Sequence, residues 1–140
     1  MKVRCASKSV KDLPKDIRSE RIGKSLENVT DRSFALIVGK EYVVYGVTIY
    51  LGHVWYYIRD EDFVYYPVWN PASLFDISDS SQPQSWRVRF DKEQDGHEER
   101  FLLSFPEWVN DKYFYDKLTD GNAAEVEIFN RYRKILDDQA

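Results

Sequence analysis

Two histidines, His53 and His97, are the side chains of this sequence best suited to acid–base chemistry, and each lies at a predicted turn. With the adjacent acids Glu98–Glu99 they could hydrolyse a phosphodiester, provided that all these groups reach one substrate. Arg87 and Arg89 could then bind the phosphate. Because histidines at turns are usually exposed to solvent, a small nuclease-like enzyme using His53 and His97 is an alternative interpretation rather than the leading one.

Other patterns that commonly indicate catalysis or metal binding are missing from the sequence. The acidic run Asp60–Asp62 lacks the alternating oxygen ligands and closing glutamate of a calcium loop, and is better explained as a charged turn. Cys5 has no second cysteine to pair with and is typical of an inert strand residue. The short motifs of nucleotide-binding proteins, serine hydrolases and zinc proteases are also absent. The sequence therefore predicts no metal site, no cofactor and no catalytic residue, and it favours a non-enzymatic protein.

Composition and charge narrow the class of protein and its partners. The 140 residues are 43% hydrophobic and 16% aromatic, which is enough for one domain with a substantial core. The longest apolar runs are strand-sized, well short of the roughly 20 residues that span a bilayer, and a single cysteine is typical of a reducing cytoplasm. The net charge is −4, and residues 91–140 carry thirteen acidic against seven basic side chains. We therefore expect a cytoplasmic protein without a membrane partner, for which nucleic acid is a poor partner and a basic protein a good one.

The order of the predicted elements indicates a single α+β domain in three parts. A long polar loop covers residues 7–33, a mainly β region covers 34–105, and a helical part covers 106–138. Strands are predicted at 2–6, 34–38, 42–51, 54–59, 63–66, 86–90 and 101–105, with short edge pieces at 68–70 and 74–77. Gly52–His53 and Asp95–Gly96 are predicted turns. Short strands at this spacing favour a small, strongly bent antiparallel sheet or a barrel.

The strand predicted at 86–90 alternates strictly between apolar and basic residues. This alternation predicts that Trp86, Val88 and Phe90 point inward.

The helical part has recognisable ends. Pro106 suits the first position of a helix, and Gly121 stops the one or two short helices that follow it. Asn122 and Glu125 resemble a capping box, after which an apolar stripe of helical period covers residues 126–136. We expect this last helix to pack on the sheet.

The strongest signal in the sequence is an aromatic block, because ten of the 22 aromatic residues lie between positions 42 and 69. Alternation along a strand puts Val54, Tyr56 and Ile58 on one face and Trp55 and Tyr57 on the other. If the first face is inside, the second points outward and is either covered by the rest of the chain or free to bind a partner. Tyrosine and tryptophan are common anchors of protein interfaces. The predicted binding surface, for a protein or a ligand, consists of Tyr42, Tyr50, Trp55, Tyr57, Tyr65 and Trp69.

Three stretches of the sequence, GKEYVVYG at 39–46, WYYI at 55–58 and PASLFDI at 71–77, are similar to short uncharacterised bacterial proteins built on an SH3-like barrel. The stretch at 105–111 resembles the C-terminal helical part of the same group, so the resemblance covers roughly residues 34–137. It implies an SH3-like barrel with C-terminal helices. Some small proteins of this type are immunity partners of secreted toxins, which implies a protein partner. The shared motifs are structural and carry no catalytic residue.

Three functions are consistent with these patterns. The leading hypothesis is a non-enzymatic protein-binding module, such as an immunity protein that neutralises a bacterial toxin with a basic domain. The alternatives are a small-molecule sensor, with Tyr45, Trp55 and Tyr57 lining its pocket, and the nuclease-like enzyme. An exposed aromatic face would favour protein binding, whereas a cavity lined by aromatic residues would favour the sensor. The sequence leaves the oligomeric state open.

Overall fold

In the part of the chain that the structure describes, the strands pair into two antiparallel sheets, and three helices follow them. The computed structural model describes residues 1–15, 33–50, 52–91 and 101–138. The strands are β1 (Lys2–Cys5), β2 (Glu41–Val43), β3 (Gly46–Tyr50), β4 (His53–Ile58), β5 (Val68–Pro71), β6 (Phe75–Asp79), β7 (Arg87–Phe90) and β8 (Phe101–Ser104). The helices are α1 (Pro106–Val109), α2 (Phe114–Thr119) and α3 (Ala123–Asp138), and short 3-10 helices cover Val10–Asp12 and Ala72–Leu74. The predicted α+β class, with antiparallel strands and C-terminal helices, is confirmed.

The predicted strand 42–51 is divided between the two sheets. β2 belongs to a sheet of order β2-β1-β6, whereas β3 belongs to a sheet of order β5-β4-β3-β8-β7. The chain crosses from one sheet to the other at Val44 and Tyr45, which are 0% and 1% exposed. The apolar run that predicted one long strand therefore reflects burial at this crossing, a distinction that periodicity alone does not make.

Two further predicted strands, 34–38 and 63–66, are wrong, because these segments are irregular in the structure. In the first, the Phe34 amide donates a hydrogen bond to the Lys8 carbonyl outside any strand ladder. Before the second, the Asp60 carboxylate accepts hydrogen bonds from the amides of the two residues at positions 62 and 63, which closes a turn. Side-chain bonds to the main chain compete in this way with strand pairing.

Most of the other predicted elements are confirmed. β3 and β4 form the predicted hairpin, with Gly52 in a left-handed conformation at the turn, where φ is 75°. The two short pieces predicted at edges are the edge strands β5 and β6. Of the predicted polar loop 7–33, residues 16–32 lie outside the described part of the chain, as does the predicted Asp95–Gly96 turn.

Helices α1 and α2 cover one face of the five-stranded sheet. Trp108 of α1 is 1% exposed, and the centroid of its ring lies 4.7 Å from that of Tyr57 on β4. Tyr115 of α2 stacks on Trp108 with ring centroids 5.6 Å apart. A Cβ atom added to Gly46 would approach Trp108 to 3.3 Å. The absence of a side chain on Gly46 therefore lets the indole lie close to β3.

Helix α3 packs against the β region, as its apolar stripe predicts. Phe129 is fully buried, and its ring centroid lies 5.3 Å from that of Tyr45 at the crossing between the sheets. Tyr132 stacks on Phe105 with ring centroids 4.3 Å apart. Its hydroxyl group donates a hydrogen bond to Glu107 at 2.7 Å. These contacts connect α3 to both the sheet crossing and α1.

Replacing Trp108 by alanine should remove the contacts that hold α1 on the sheet. The free energy of unfolding should fall by about 3–5 kcal/mol, as is typical when a buried aromatic residue is truncated to alanine. Urea denaturation followed by circular dichroism measures this change. Tyr113→Ala is the matched control, because this ring lies in the same helical part but is 52% exposed. Its expected loss is below about 0.5 kcal/mol, and equal losses in both variants would contradict the packing role of Trp108.

Candidate functional site

The face of the five-stranded sheet that points away from α1 and α2 carries a continuous set of apolar side chains. Residues directly opposite each other on paired strands share a face. The register of β4, β3, β8 and β7 therefore puts Tyr56, Ile58 and seven further apolar side chains on this face, and these seven lie in two adjacent rows. We call this surface the outer sheet face, and it consists of Val47, Ile49, Val54, Val88, Phe90, Phe101 and Leu103.

Much of the outer sheet face is exposed. Val54 and Ile49 are 40% and 41% exposed, and Val88 and Phe90 on β7 are 57% and 63% exposed. The smaller sheet covers the neighbouring part of the same side, where Tyr56 is buried against the ring of a phenylalanine on β6. Contiguous exposed apolar patches on soluble proteins mark interaction sites. The outer sheet face is therefore a candidate binding surface.

The prediction that Val88 and Phe90 point inward is wrong. β7 lies at the edge of its sheet, and the side of β7 that meets the helices carries Arg89. The Arg89 guanidinium group donates a hydrogen bond to the main-chain oxygen of Val109 at 2.8 Å. Cations are favoured at the C-terminal end of a helix, because the last carbonyl groups have no partner in the helix. Because Arg89 faces α1, the alternate residues Val88 and Phe90 face outward, and of the three residues predicted inward only Trp86 is buried.

The six aromatic residues predicted as a binding surface do not form one surface in the structure. Three are buried, two are half-buried and one is 82% exposed. The buried residues are Tyr42, Trp55 and Tyr57, the half-buried ones are Tyr50 and Trp69, and the exposed one is Tyr65.

The prediction that Trp55 and Tyr57 face outward is wrong, because the chain itself covers both. Tyr57 lies beneath the ring of Trp108, and Trp55 lies 5.0 Å from Trp69 between ring centroids. Tyr50 completes this cluster with its ring centroid 5.4 Å from that of Trp69. The structure thus brings four of the six predicted residues together as an extension of the core, with exposures of only 2% and 3% for Trp55 and Tyr57.

A polar pocket of about 350 Å³ lies where β2, the link between β4 and β5, and the end of α3 meet. We call it the tyrosine pocket. Two tyrosines, two cations and four carboxylates contribute to its lining; they are Tyr42, Tyr45, Lys40, Arg59, Glu41, Asp60, Glu61 and Asp137. The sensor hypothesis predicted a cavity lined by Tyr45, Trp55 and Tyr57. The tyrosine pocket contains Tyr45 but neither of the other two residues.

One wall of the tyrosine pocket is a closed set of hydrogen bonds around Tyr45. The Tyr45 hydroxyl group donates to Asp137 at 2.8 Å and accepts from Arg59 at 3.1 Å. Arg59 also forms an ion pair with Asp137 at 3.0 Å. Burial raises the pKa of Tyr45 above its ordinary value, and the hydrogen bond to Asp137 raises it further. Tyr45 is therefore a protonated donor at neutral pH, and it holds the end of α3 against the strands.

The opposite wall has the same arrangement around Tyr42. Its hydroxyl group donates to Glu61 at 2.9 Å and accepts from the Ile37 amide at 2.9 Å, while Lys40 pairs with Glu61 at 2.8 Å. Burial raises the pKa of Tyr42 to about 12, and the Lys40 hydrogen bond holds the pKa of Glu61 below its usual value. Neither tyrosine is a base at neutral pH, and both cations are already paired.

Among the described residues, those considered for catalysis and metal binding give no further site. His53 is half-buried at the start of β4, and His97 lies outside the described residues, so the nuclease-like hypothesis stays a prediction. Within the part of the chain that the structure describes, no group of three or more His, Cys, Asp or Glu side chains is placed to hold a metal ion. Cys5 is buried, and burial raises the pKa of its thiol, which makes it less reactive. Among the described helices, none has the length and apolar character needed to cross a membrane.

No protein-family model, no curated protein and no solved structure matches this chain. The resemblance to SH3-like immunity proteins therefore stays a prediction.

The outer sheet face is not among the binding surfaces predicted from the sequence. The available signal was the pattern of β4, which has large apolar residues at successive positions and is therefore apolar on both faces. Both faces of such a strand must pack against other parts of the chain, and a face that is only partly packed is exposed to solvent. No comparable signal was available for β7, because its alternation is also that of an ordinary half-buried strand.

Raising the pH should destabilise the protein between about pH 10 and pH 12 through Tyr42. Its pKa of about 12 in the folded protein exceeds the ordinary value of 10.0, so the folded state holds this proton more strongly than the unfolded state. The stabilisation is complete below pH 10 and is lost as the pH rises towards 12. Urea denaturation across this pH range should show a shallower loss of unfolding free energy for Tyr42→Phe than for the unchanged protein.

Tyr65→Phe is the matched control for this measurement, because it makes the same chemical change on a side chain that is 82% exposed. It should follow the unchanged protein. If Tyr42→Phe does so as well, Tyr42 does not couple folding to pH.

Proposed function

We propose that this chain is a non-enzymatic protein-binding module that binds another protein through the outer sheet face. The observation that supports this most is that four of the seven side chains of this face are at least 40% exposed. Leaving contiguous apolar area in water is unfavourable, by roughly 25 cal/mol for each Å² that a partner could cover. The aromatic cluster around Trp69 does not contribute to this argument, because the chain already covers it.

The composition of the outer sheet face suits the centre of a protein interface. All seven residues are aliphatic or aromatic, and Phe90 lies directly opposite Phe101 on the paired strands. Interface centres are depleted of charged residues and enriched in aromatic ones. Burial of Phe90, which is 63% exposed, is the largest single gain that a partner would make.

The charge of the chain indicates the kind of partner. The net charge is −4, and the excess of acidic residues is concentrated after position 90. A basic protein with an apolar contact surface complements this chain, and the charge would speed their association. An immunity protein that neutralises a basic toxin domain is the form of this function that the resemblance in sequence implies. The cytoplasm is the compartment in which we expect the complex.

A photo-crosslinking amino acid placed at position 49 tests this proposal in the native host. Ile49 lies on the outer sheet face, so a bound basic protein should cross-link to this position and be identified by mass spectrometry. Position 113 is the matched control, because Tyr113 is 52% exposed but belongs to the helical part, on the opposite side of the five-stranded sheet. A cross-link of equal yield at both positions, or none at position 49, would count against the proposal.

The purified partner allows a quantitative measurement by titration calorimetry. Ile49→Arg and Val54→Arg each put a charge on the outer sheet face and should weaken binding at least about tenfold, or 1.4 kcal/mol. Tyr113→Arg should leave the affinity unchanged. Equal affinities for all three variants would show that the partner binds elsewhere.

The tyrosine pocket supports a second candidate, a small-molecule sensor. Its volume of about 350 Å³ falls within the range of roughly 300–1,000 Å³ that is usual for ligand sites. Carboxylates outnumber cations in its lining by four to two, which favours a small amine as the ligand. The hydrogen bonds of this pocket are already made within the chain, so this candidate ranks second.

Thermal denaturation in the presence of putrescine or spermidine tests the sensor. A ligand that binds the folded state should raise the melting temperature in proportion to its occupancy. Glu41→Gln removes an exposed carboxylate of the pocket and should reduce the shift. Equal shifts in both proteins, or no shift at millimolar amine, would remove this candidate.

A further inference from the structure

Strand β7 forms one edge of the five-stranded sheet, so within the described residues one side of its main chain has no neighbouring strand. An edge strand of this kind can pair with a strand of a second molecule. The side chains of β7 decide which strand fits. Val88 and Phe90 are exposed on the outer sheet face, and Arg87 and Arg89 lie on the opposite face.

The chemistry of residues 87–91 is self-complementary about its centre, Arg89. Val88 and Phe90 flank Arg89, and beyond them lie a cation, Arg87, on one side and an anion, Asp91, on the other. In an antiparallel pair, residues at equal distances from the centre lie opposite each other on the same face. Two copies paired about Arg89 therefore place Val88 opposite Phe90 and Arg87 opposite Asp91, each of them twice.

We propose that two copies of this chain associate through β7, in an antiparallel register centred on Arg89, and join their five-stranded sheets into one. The arrangement has the two-fold symmetry of most homodimers, in which the same surface of each copy meets its counterpart. It extends the outer sheet face across the symmetry axis. This inference goes beyond the proposed function, because it concerns the edge of the sheet and holds whichever molecule binds to the face.

Arg89 is the residue that meets its own counterpart in this register, and its surroundings neutralise it. Its Nε atom pairs with Asp91 at 3.3 Å, and Nη1 donates to the Val109 carbonyl at 2.8 Å. The side chain is only 19% exposed, so it is held against the protein rather than extended over the edge. Arg87 is exposed, and within the described residues its guanidinium group donates only to nearby main-chain oxygens. It is therefore able to pair with Asp91 of the second copy.

Other registers of β7 fit less well. Pairing about Val88 places Arg87 opposite Arg89 twice, and like charges directly opposite are destabilising. Pairing about Phe90 loses the apolar pair of Val88 with Phe90, because Val88 then lies opposite residue 92, beyond the end of the strand. Of these three registers, the one centred on Arg89 alone pairs Val88 with Phe90 and Arg87 with Asp91.

The edges formed by β5 and β6 are also poorer candidates. β5 ends in Pro71, which has no amide hydrogen to donate to a new strand. Pairing β6 about its central residue, Ile77, places a phenylalanine opposite an aspartate at each end.

Sedimentation equilibrium of the purified full chain tests the proposal. The unchanged protein should show a monomer–dimer equilibrium in the micromolar range. Arg87→Glu should raise the dissociation constant of the dimer at least about tenfold, because it turns two attractive pairs into repulsive ones. Arg87→Glu combined with Asp91→Arg restores both pairs with the charges exchanged, but it also removes the ion pair between Asp91 and Arg89, so it should recover part of the lost affinity.

Val88→Lys provides an independent test of the apolar contact and should also weaken the dimer. Ile77→Lys is the matched control, because it makes the same kind of change at a 54% exposed residue on the edge of the other sheet. A protein that stays monomeric up to millimolar concentration would overturn the proposal, as would a dimer that Arg87→Glu and Val88→Lys leave intact. A monomer that still cross-links a partner at position 49 would overturn the dimer alone, whereas a dimer without that cross-link would support the dimer and count against the proposed function.

Discussion

The close contact between Trp108 and Gly46 is the constraint on which the rest of this structure depends. A Cβ atom at position 46 would lie 3.3 Å from the indole ring, a contact so tight that the ring would have to shift by a few tenths of an ångström to admit a side chain. With α1 in place, the rings of Tyr57 and Tyr115 pack around Trp108 and lose most of their contact with water. Each large ring removes roughly 150–250 Å² from solvent, a substantial part of what offsets the entropy of ordering the chain.

Because α1 and α2 pack on only one face of the five-stranded sheet, its two faces differ in how far they are buried. The helices close the face that carries Tyr57, and Arg89 binds the end of α1 from the edge strand. The smaller sheet covers only the part of the other face around Tyr56. The outer sheet face is what remains, and its exposure follows from the arrangement of the helices rather than from any special feature of its own residues.

The outer sheet face and the tyrosine pocket would make different demands on a binding partner. In the pocket, Tyr45 and Arg59 are bonded to Asp137, and Tyr42 and Lys40 to Glu61. A ligand that enters must replace some of these bonds, and leaving a buried polar group unpaired costs about 1–3 kcal/mol. A protein that covers the outer sheet face displaces only water from apolar groups. This difference favours protein binding over ligand binding.

The sequence by itself determined the features that depend on neighbouring residues along the chain. Alternation showed which residues of β4 share a face, Gly52 marked the hairpin turn, and the apolar stripe of 126–136 marked the last helix. The acidic charge and the absence of short catalytic motifs also came from the sequence. The aromatic residues predicted as a binding surface do not form one surface in the structure, because the exposure of a side chain depends on residues far away in the sequence.

Tertiary structure alone decided which face of each strand is covered. It divided the predicted strand 42–51 between two sheets, buried Trp55 and Tyr57, and turned Val88 and Phe90 outward. Alternation separates two faces but does not say which one meets the core. That choice depends on contacts between residues far apart in the sequence, above all the packing of α1 on β3, and no local pattern encodes it.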